Sequence, residues 1–335
     1  MAILPLVSGL AAWQALCVSA QTTQPVQNKE TTGPVRRASL AAWICLLIVY
    51  VVWGSTYLAI RVGVETMPPL MMAAARQLVA GLIMFPLALR HWRKTPLARR
   101  WPSRREWLGC AIAGILLLVA NGVVGVGEKT VPSGLAALLV ATVPLWLLGI
   151  DAGLNHARMG LAQLAGLLLG LAGVALLSGL GGDSRGTSVA GVLIILGAAA
   201  AWALGTIMAR RAVIPSSAAL ASGMELLAGG AALLVLSGAT GEFSSLHLAQ
   251  VSARSWLALG YLTVFGSIVA FSAYGIAVRS LPTATVATYA YVNPVIAVLL
   301  GALILHERLT PATIAGGVLI VGAVVLVVRR SPPAH

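Results

Sequence analysis

The chain has 335 residues, of which 59% are hydrophobic and only 9% charged, and its mean hydropathy is +0.93. A soluble domain carries roughly 25% charged residues, so these few charges cannot coat a water-facing surface of this size, and a bilayer must cover much of it. The formal charge of +13 does not point to a nucleic-acid partner, because the basic residues sit between hydrophobic runs, where they orient helices relative to the membrane.

Met1–Ala20 is apolar and ends in Val18-Ser19-Ala20, as a signal-peptidase site would, but it lacks the positive n-region of a secretory signal. Residues 1–38 are expected to be a poorly ordered or surface-lying tail. A membrane span needs about 20 mostly apolar residues to cross about 30 Å of hydrocarbon. Ten segments qualify: 40–60, 69–89, 107–127, 132–150, 160–180, 188–209, 217–237, 254–276, 283–305 and 311–328. Residues 331–335 follow as a short tail. Most connections are short, apart from Arg90–Glu106, which holds seven Lys/Arg. Cys17, Cys45 and Cys110 show no CxxC spacing, so neither a metal site, a disulfide framework nor a cofactor is expected.

Charge sets the orientation. With the N-terminus inside, the inner face collects Lys29, Arg36, Arg37, the seven of the long loop, Arg158, Arg210, Arg211, Arg279, Arg329 and Arg330, sixteen in all. The outer face collects five: Arg61, Lys129, Arg185, Arg254 and Arg308. The positive-inside rule then places both termini in the cytoplasm, as in a bacterial inner-membrane protein.

The two halves also repeat each other. At an offset of 149, Trp53 falls on Trp202, Gly81 on Gly230 and Trp107 on Trp256. After one extra residue in the eighth span the offset becomes 150, and Pro132 falls on Pro282, Pro144 on Pro294, His156 on His306, Arg158 on Arg308 and Gly166 on Gly316. Each half (39–181 and 187–330) holds five spans, an odd number, so the second must start from the opposite side. The expected fold is all-α, ten transmembrane helices as two inverted five-helix repeats, a common plan of secondary transporters.

Trp53-Gly54-Ser55-Thr56-Tyr57 near the end of the first span, Pro68-Pro69 before a second span with Arg76, Tyr291-Val292-Asn293-Pro294 in the ninth, and His306-Glu307-Arg308-Leu309-Thr310 before the tenth together resemble the EamA-type exporters of the drug/metabolite transporter superfamily. The resemblance covers residues 39–330. It implies a central cavity between the halves and export of amino acids, other metabolites or toxic compounds. His156-Ala157-Arg158 stands in the first half where His306-Glu307-Arg308 stands in the second, so any role of that glutamate is present once.

Several residues are candidates for the cavity. Trp53, Thr56 and Tyr57 share one face of the first span, and Trp202 and Thr206 repeat the pairing in the sixth. Aromatic rings with nearby hydroxyls suit flat solutes and organic cations, and equally suit packing or an interfacial belt. Tyr289, Asn293 and Asn121 are further candidates. Arg76 and Glu225 align at offset 149 and lie deep in their spans, where a charge needs water or a partner. Arg76 is expected to orient an anionic group and Glu225 to bind a cation or proton, with about 10 Å between their levels; local structural satisfaction of each is the alternative. Pro144 and Pro294 are expected to kink their helices, each freeing a carbonyl four residues earlier, either for a ligand or for a neighbouring helix. Asp151 is expected to reach the headgroups. The small-residue run Gly166–Gly170 suits close helix packing.

A passive facilitator or an importing carrier is the main rival to an exporter. An intramembrane enzyme is not expected: there is no HExxH, no GxSG-type serine and no pair of intramembrane aspartates. The partners expected are a small-molecule substrate, the lipid bilayer and protons, with the chain a monomer or homodimer.

Overall fold

The computed structural model describes residues 40–93, 101–155, 161–177, 188–281, 286 and 288–330. His156, Arg158, Arg185, Pro282 and the two tails lie outside them. The described residues are almost wholly helical: α1 (Leu40–Gly63), α2 (Pro69–Trp92), α3 (Arg104–Gly127), α4 (Ser133–Val140), α5 (Val143–Asn155), α6 (Leu161–Leu177), α7 (Val189–Arg211), α8 (Ala218–Ala239), the single turn α9 (Glu242–Ser245), α10 (Ala253–Tyr261), α11 (Ala270–Ser280), α12 (Tyr289–Ile304) and α13 (Pro311–Arg330). Among the described residues, seven stretches are long and apolar enough to cross a membrane, α4 with α5 and α10 with α11 each counting as one, and three further apolar helices are shorter.

Serine caps begin many of these helices. Ser103, Ser188, Ser217 and Ser252 each accept a hydrogen bond from a backbone N–H of the first turn, satisfying donors that a helix start leaves open. Ser103 and Glu106 form a full capping box. Large apolar side chains such as Leu47, Leu82, Val235 and Leu303 remain exposed along the helices, as expected of surfaces that meet lipid.

The repeat becomes visible as reciprocal packing. Gly81 of α2 lies against Leu227 of α8, and Gly230 of α8 lies against Leu78 of α2. These four residues exchange under the offset of 149, so a two-fold axis passes between α2 and α8. The remaining neighbours obey the same exchange: α3 packs on α7 as α10–α11 pack on α1, and α5 on α7 as α12 on α1.

The halves run in opposite senses. Gly125, near the end of α3, packs beside Ile60 and Val64 at the end of α1, so α1 and α3 are parallel. Gly191, at the start of α7, sits against Thr130 just past the end of α3, whereas Gly109 near the start of α3 sits against Ala212 and Val213 just past the end of α7. Thus α7 is antiparallel to α3, and so to its own repeat partner α1.

The two aligned prolines behave differently. Before Pro144 the helix stops at Val140 and restarts at Val143; the break is closed by Thr142, whose N–H and hydroxyl both donate to the carbonyl of Leu139 at 3.1 and 2.6 Å. Pro294 lies inside an uninterrupted α12.

A single inserted residue has a physical form as well. Between α10 and α11 the chain makes a π-helical segment, Leu262–Val269. A π turn absorbs one extra residue without ending the helix, and it falls in the span where the repeat offset changes from 149 to 150.

A candidate substrate site on the pi-helical segment

Arg76 is the eighth residue of α2 and is buried. Its Nε donates to Ser267 Oγ at 3.0 Å and its Nη2 to Asn121 Oδ1 at 2.8 Å. Ser267 Oγ in turn donates to Gln77 Oε1 at 3.2 Å. Gln77 is fully buried, and its Nε2 has no hydrogen-bond partner among the described residues. Three helical elements therefore hold a guanidinium with neutral groups alone, and no described carboxylate is paired with it. A narrow cleft with room for about one water opens beside it, lined by Met72, Ala73, Arg76, Asn121 and Gly125 among others. An arginine at membrane depth costs at least about 2.5–3.5 kcal/mol, so a fixed cation without a counter-charge is a natural anchor for an anionic group.

The aromatic residues gather on the other side of the same π segment. Trp53 Nε1 donates to Gly266 O at 3.4 Å, next to Ser267. The Trp53 ring lies 5.6 Å from Phe271, 5.1 Å from Tyr274 and 5.3 Å from Tyr289, and Tyr274 and Tyr289 meet edge-on at 5.9 Å. With its amide nitrogen turned toward them, Asn293 donates to the carbonyls of Tyr50 and Tyr289, each at 3.2 Å, which ties α12 to α1. Tyr50 also bonds Thr288 through their hydroxyls.

Both repeats match the model of the EamA-like transporter family, over residues 40–179 and 189–329. The chain belongs to the EamA-like transporter family. It is 40% identical over 295 residues, 87% of this chain and 92% of the relative, to the uncharacterized inner membrane transporter YedA of Escherichia coli. A probable amino-acid metabolite efflux pump of Escherichia coli is 29% identical over 83% of this chain and 91% of its own. A solved crystal structure superimposes with a TM-score of 0.57 at 22% identity, covering 88% of this chain and 99% of the other, a likeness of fold. The protein is thus a membrane transporter of the drug/metabolite transporter superfamily, and family and relatives alike point to a transporter rather than an enzyme.

The remaining sequence-predicted residues of this EamA chain are dispersed. Thr56 and Thr206 spend their hydroxyls on their own helices, donating to Trp53 O at 2.6 Å and Trp202 O at 2.9 Å. Tyr57 packs between the α4 core and the α3–α7 core, and Trp202 packs against two clusters, one of Ala120, Val124 and Ala198 and one of Val143, Ala199 and Ala203. Glu225 lies with its backbone against Gly114, seven residues or about 10 Å along α3 from Asn121, so Arg76 and Glu225 do not meet. Gln77 and Ser267 escaped the sequence reading. The signals available were a second polar residue beside Arg76 in the same span, and a serine in the span that carries the extra residue.

Acidic side chains tie this EamA scaffold together where α1 and α3 end. Glu307 accepts from Ser133 N–H and Oγ, both at 2.8 Å, and from Gly134 N–H at 3.1 Å, so the carboxylate present in one repeat caps α4 of the other. His306 reaches this turn with a left-handed φ of 54°, and Gly301 leaves the space, since a Cβ there would lie 2.4 Å from Glu307 Oε2. Glu242 caps α2, accepting from Leu70 N–H at 3.2 Å and Met71 N–H at 2.8 Å.

Proposed function

We propose that this EamA-family transporter is a bacterial inner-membrane exporter of small metabolites that carry a carboxylate on an apolar or aromatic body, amino acids and related compounds first, with toxic or drug-like acids as further cargo. The carrying observation is Arg76, buried at membrane depth and bonded, among the described residues, to Ser267 and Asn121 alone. In this reading Arg76 receives the carboxylate, Gln77 Nε2, which has no partner among the described residues, and the Asn121 amide orient it, and the Trp53–Tyr274–Tyr289 group takes the apolar part by stacking. Glu225, about 10 Å nearer the other face, serves a substrate ammonium or a proton further along the path. The two inverted halves rock about the site in alternating access, and both termini face the cytoplasm. The name of the efflux-pump relative supports the substrate class and the direction.

Purified protein in liposomes tests this. Uptake of radiolabelled amino acids against an outward gradient of the same compound is measured for the parent and for Arg76→Ala. Losing one or two charge-assisted hydrogen bonds of about 1.5–3 kcal/mol each lowers apparent affinity by at least about tenfold. The methyl ester of a transported acid should compete far less well than the acid. Equal flux in Arg76→Ala at equal protein in the membrane, or equal competition by acid and ester, refutes the site.

A further inference from the structure

Glu128 is the residue that caps the end of α3, just beyond the membrane-crossing stretch Arg104–Gly127. Its side chain is fully buried, and neither carboxyl oxygen has a hydrogen-bond partner among the described residues. The nearby Arg61 of α1 gives an Nη1–H to the backbone carbonyl of Glu128, not to its carboxyl. Glu307, from the other repeat, faces the same point and spends both oxygens on Ser133 and Gly134. Among the described residues, Tyr57 of α1 is a further titratable group near Glu128, while the neighbouring Lys129 is exposed.

Two carboxyl groups therefore share the seam between the repeats, Glu128 fully buried and Glu307 partly so, and among the described residues only Glu307 has donors. Glu307 sits at the N-terminus of α4, where three donors meet its carboxylate. Glu128 is suited to be neutral: burial first, and then the charge of Glu307, push its carboxyl well above the ordinary range, with Arg61 pulling the other way. Charging it where it stands would leave an unpartnered anion in the seam.

We propose that Glu128 is a proton-binding site that latches this seam: it holds a proton while the seam between the repeats is closed and releases it to water when the seam opens. The opening half of the proposal rests on the carrier reading above; the proton half does not. The sign follows from linkage. The closed arrangement binds the proton more tightly than the open one, so it is favoured at low pH. That preference is lost as pH rises from the ordinary carboxylate range through the raised value. Each opening then delivers a proton to that side, which supplies a coupling ion independent of the substrate site.

Two measurements on the full chain test the halves separately. In infrared spectra near pH 7, wild type should show the C=O stretch of a neutral carboxylic acid that disappears in Glu128→Gln and persists in Glu225→Gln. For opening, Val131→Cys places a thiol at a fully buried seam position in a chain with Cys17, Cys45 and Cys110 replaced by Ala. Its rate of modification by a membrane-impermeant maleimide, divided by the rate in denatured protein at the same pH, should rise by up to about tenfold per pH unit. Adding Glu128→Gln should leave it low and flat. Adding Glu307→Gln should keep the response but move its midpoint to lower pH, because a like charge is gone. An infrared band unchanged in Glu128→Gln overturns the proton site whatever the transport assays give. A flat curve in the parent, or a Glu128→Gln curve that follows the parent, overturns the latch.

Discussion

In Gly114→Ala the new methyl would lie 2.4 Å from the carbonyl oxygen of Glu225, 2.7 Å from its Cα and 2.9 Å from its carbonyl carbon. All three are backbone atoms, so no rotamer change relieves the clash and α8 must retreat from α3. A carbon–oxygen contact settles at about 3.3 Å, so the retreat is close to 1 Å, enough to forfeit a quarter to a half of the dispersion energy along that contact. Overpacking of this kind costs about 1–3 kcal/mol, against about 1 kcal/mol gained by replacing a helical glycine with alanine. Gly125→Ala on the same helix is the control, because its methyl meets Ile60 and Pro69 at 3.4 Å, ordinary contact, and keeps the helix gain. Both variants share the helix gain, so they should differ by the overpacking cost of about 1–3 kcal/mol, or roughly 2 °C or more in unfolding midpoint. The buried thiols Cys45 and Cys110 allow unfolding of detergent-solubilised protein to be followed with a thiol-reactive fluorophore. A Gly114→Ala protein that melts at or above Gly125→Ala would refute the α3–α8 contact on which the placement of Glu225 depends.

Gly81→Ala and Gly230→Ala meet Leu227 and Leu78 at 3.0 and 2.9 Å, so the two should shift the midpoint by equal amounts; a wide inequality would contradict the two-fold axis. Glu242→Ala removes the cap of α2, where Pro68 offers no side-chain bond, and should lower stability by about 0.5–2 kcal/mol in the same melting assay. Trp53→Leu loses ring contacts worth about 0.5–1.5 kcal/mol each, and in liposome competition assays should weaken inhibition by aromatic amino acids more than by aliphatic ones.

Much of this architecture was legible because it follows from one-dimensional patterns. Hydropathy over windows of span length places an apolar helix at or near each expected position, and the equivalence of Gly81 with Gly230 reappears as reciprocal packing. Polar partnerships were harder to read. Ser267 looks like any serine in a membrane helix, where hydroxyls bond their own backbone as Thr56 and Thr206 do. Only the π segment turns it toward Arg76 instead. The proline pair shows the limit of repeat logic: Thr142 stabilises a break before Pro144, while α12 passes Pro294 unbroken. One proline position, two neighbourhoods, and the neighbourhood decides.

The departures from symmetry are where a substrate gains a direction. Applied around the two equivalent tryptophans, the repeat offset of 150 turns Phe271, Tyr274 and Tyr289 beside Trp53 into Asn121, Val124 and Leu139 on the side of Trp202. One scaffold thus carries an aromatic wall in one repeat and an amide with aliphatic side chains in the other. The extra residue in the π segment adds the second asymmetry. It brings Gly266 O to Trp53 and Ser267 to Arg76 from adjacent positions, joining the aromatic wall to the cation across less than one helical turn. A solute with an acid at one end and an apolar ring at the other can engage both only in one orientation. Two halves that were alike in side chains as well as backbone would bind it equally well reversed, and in the proposed site it is Arg76, present at one depth and aligned with Glu225 in the other half, that removes this equivalence.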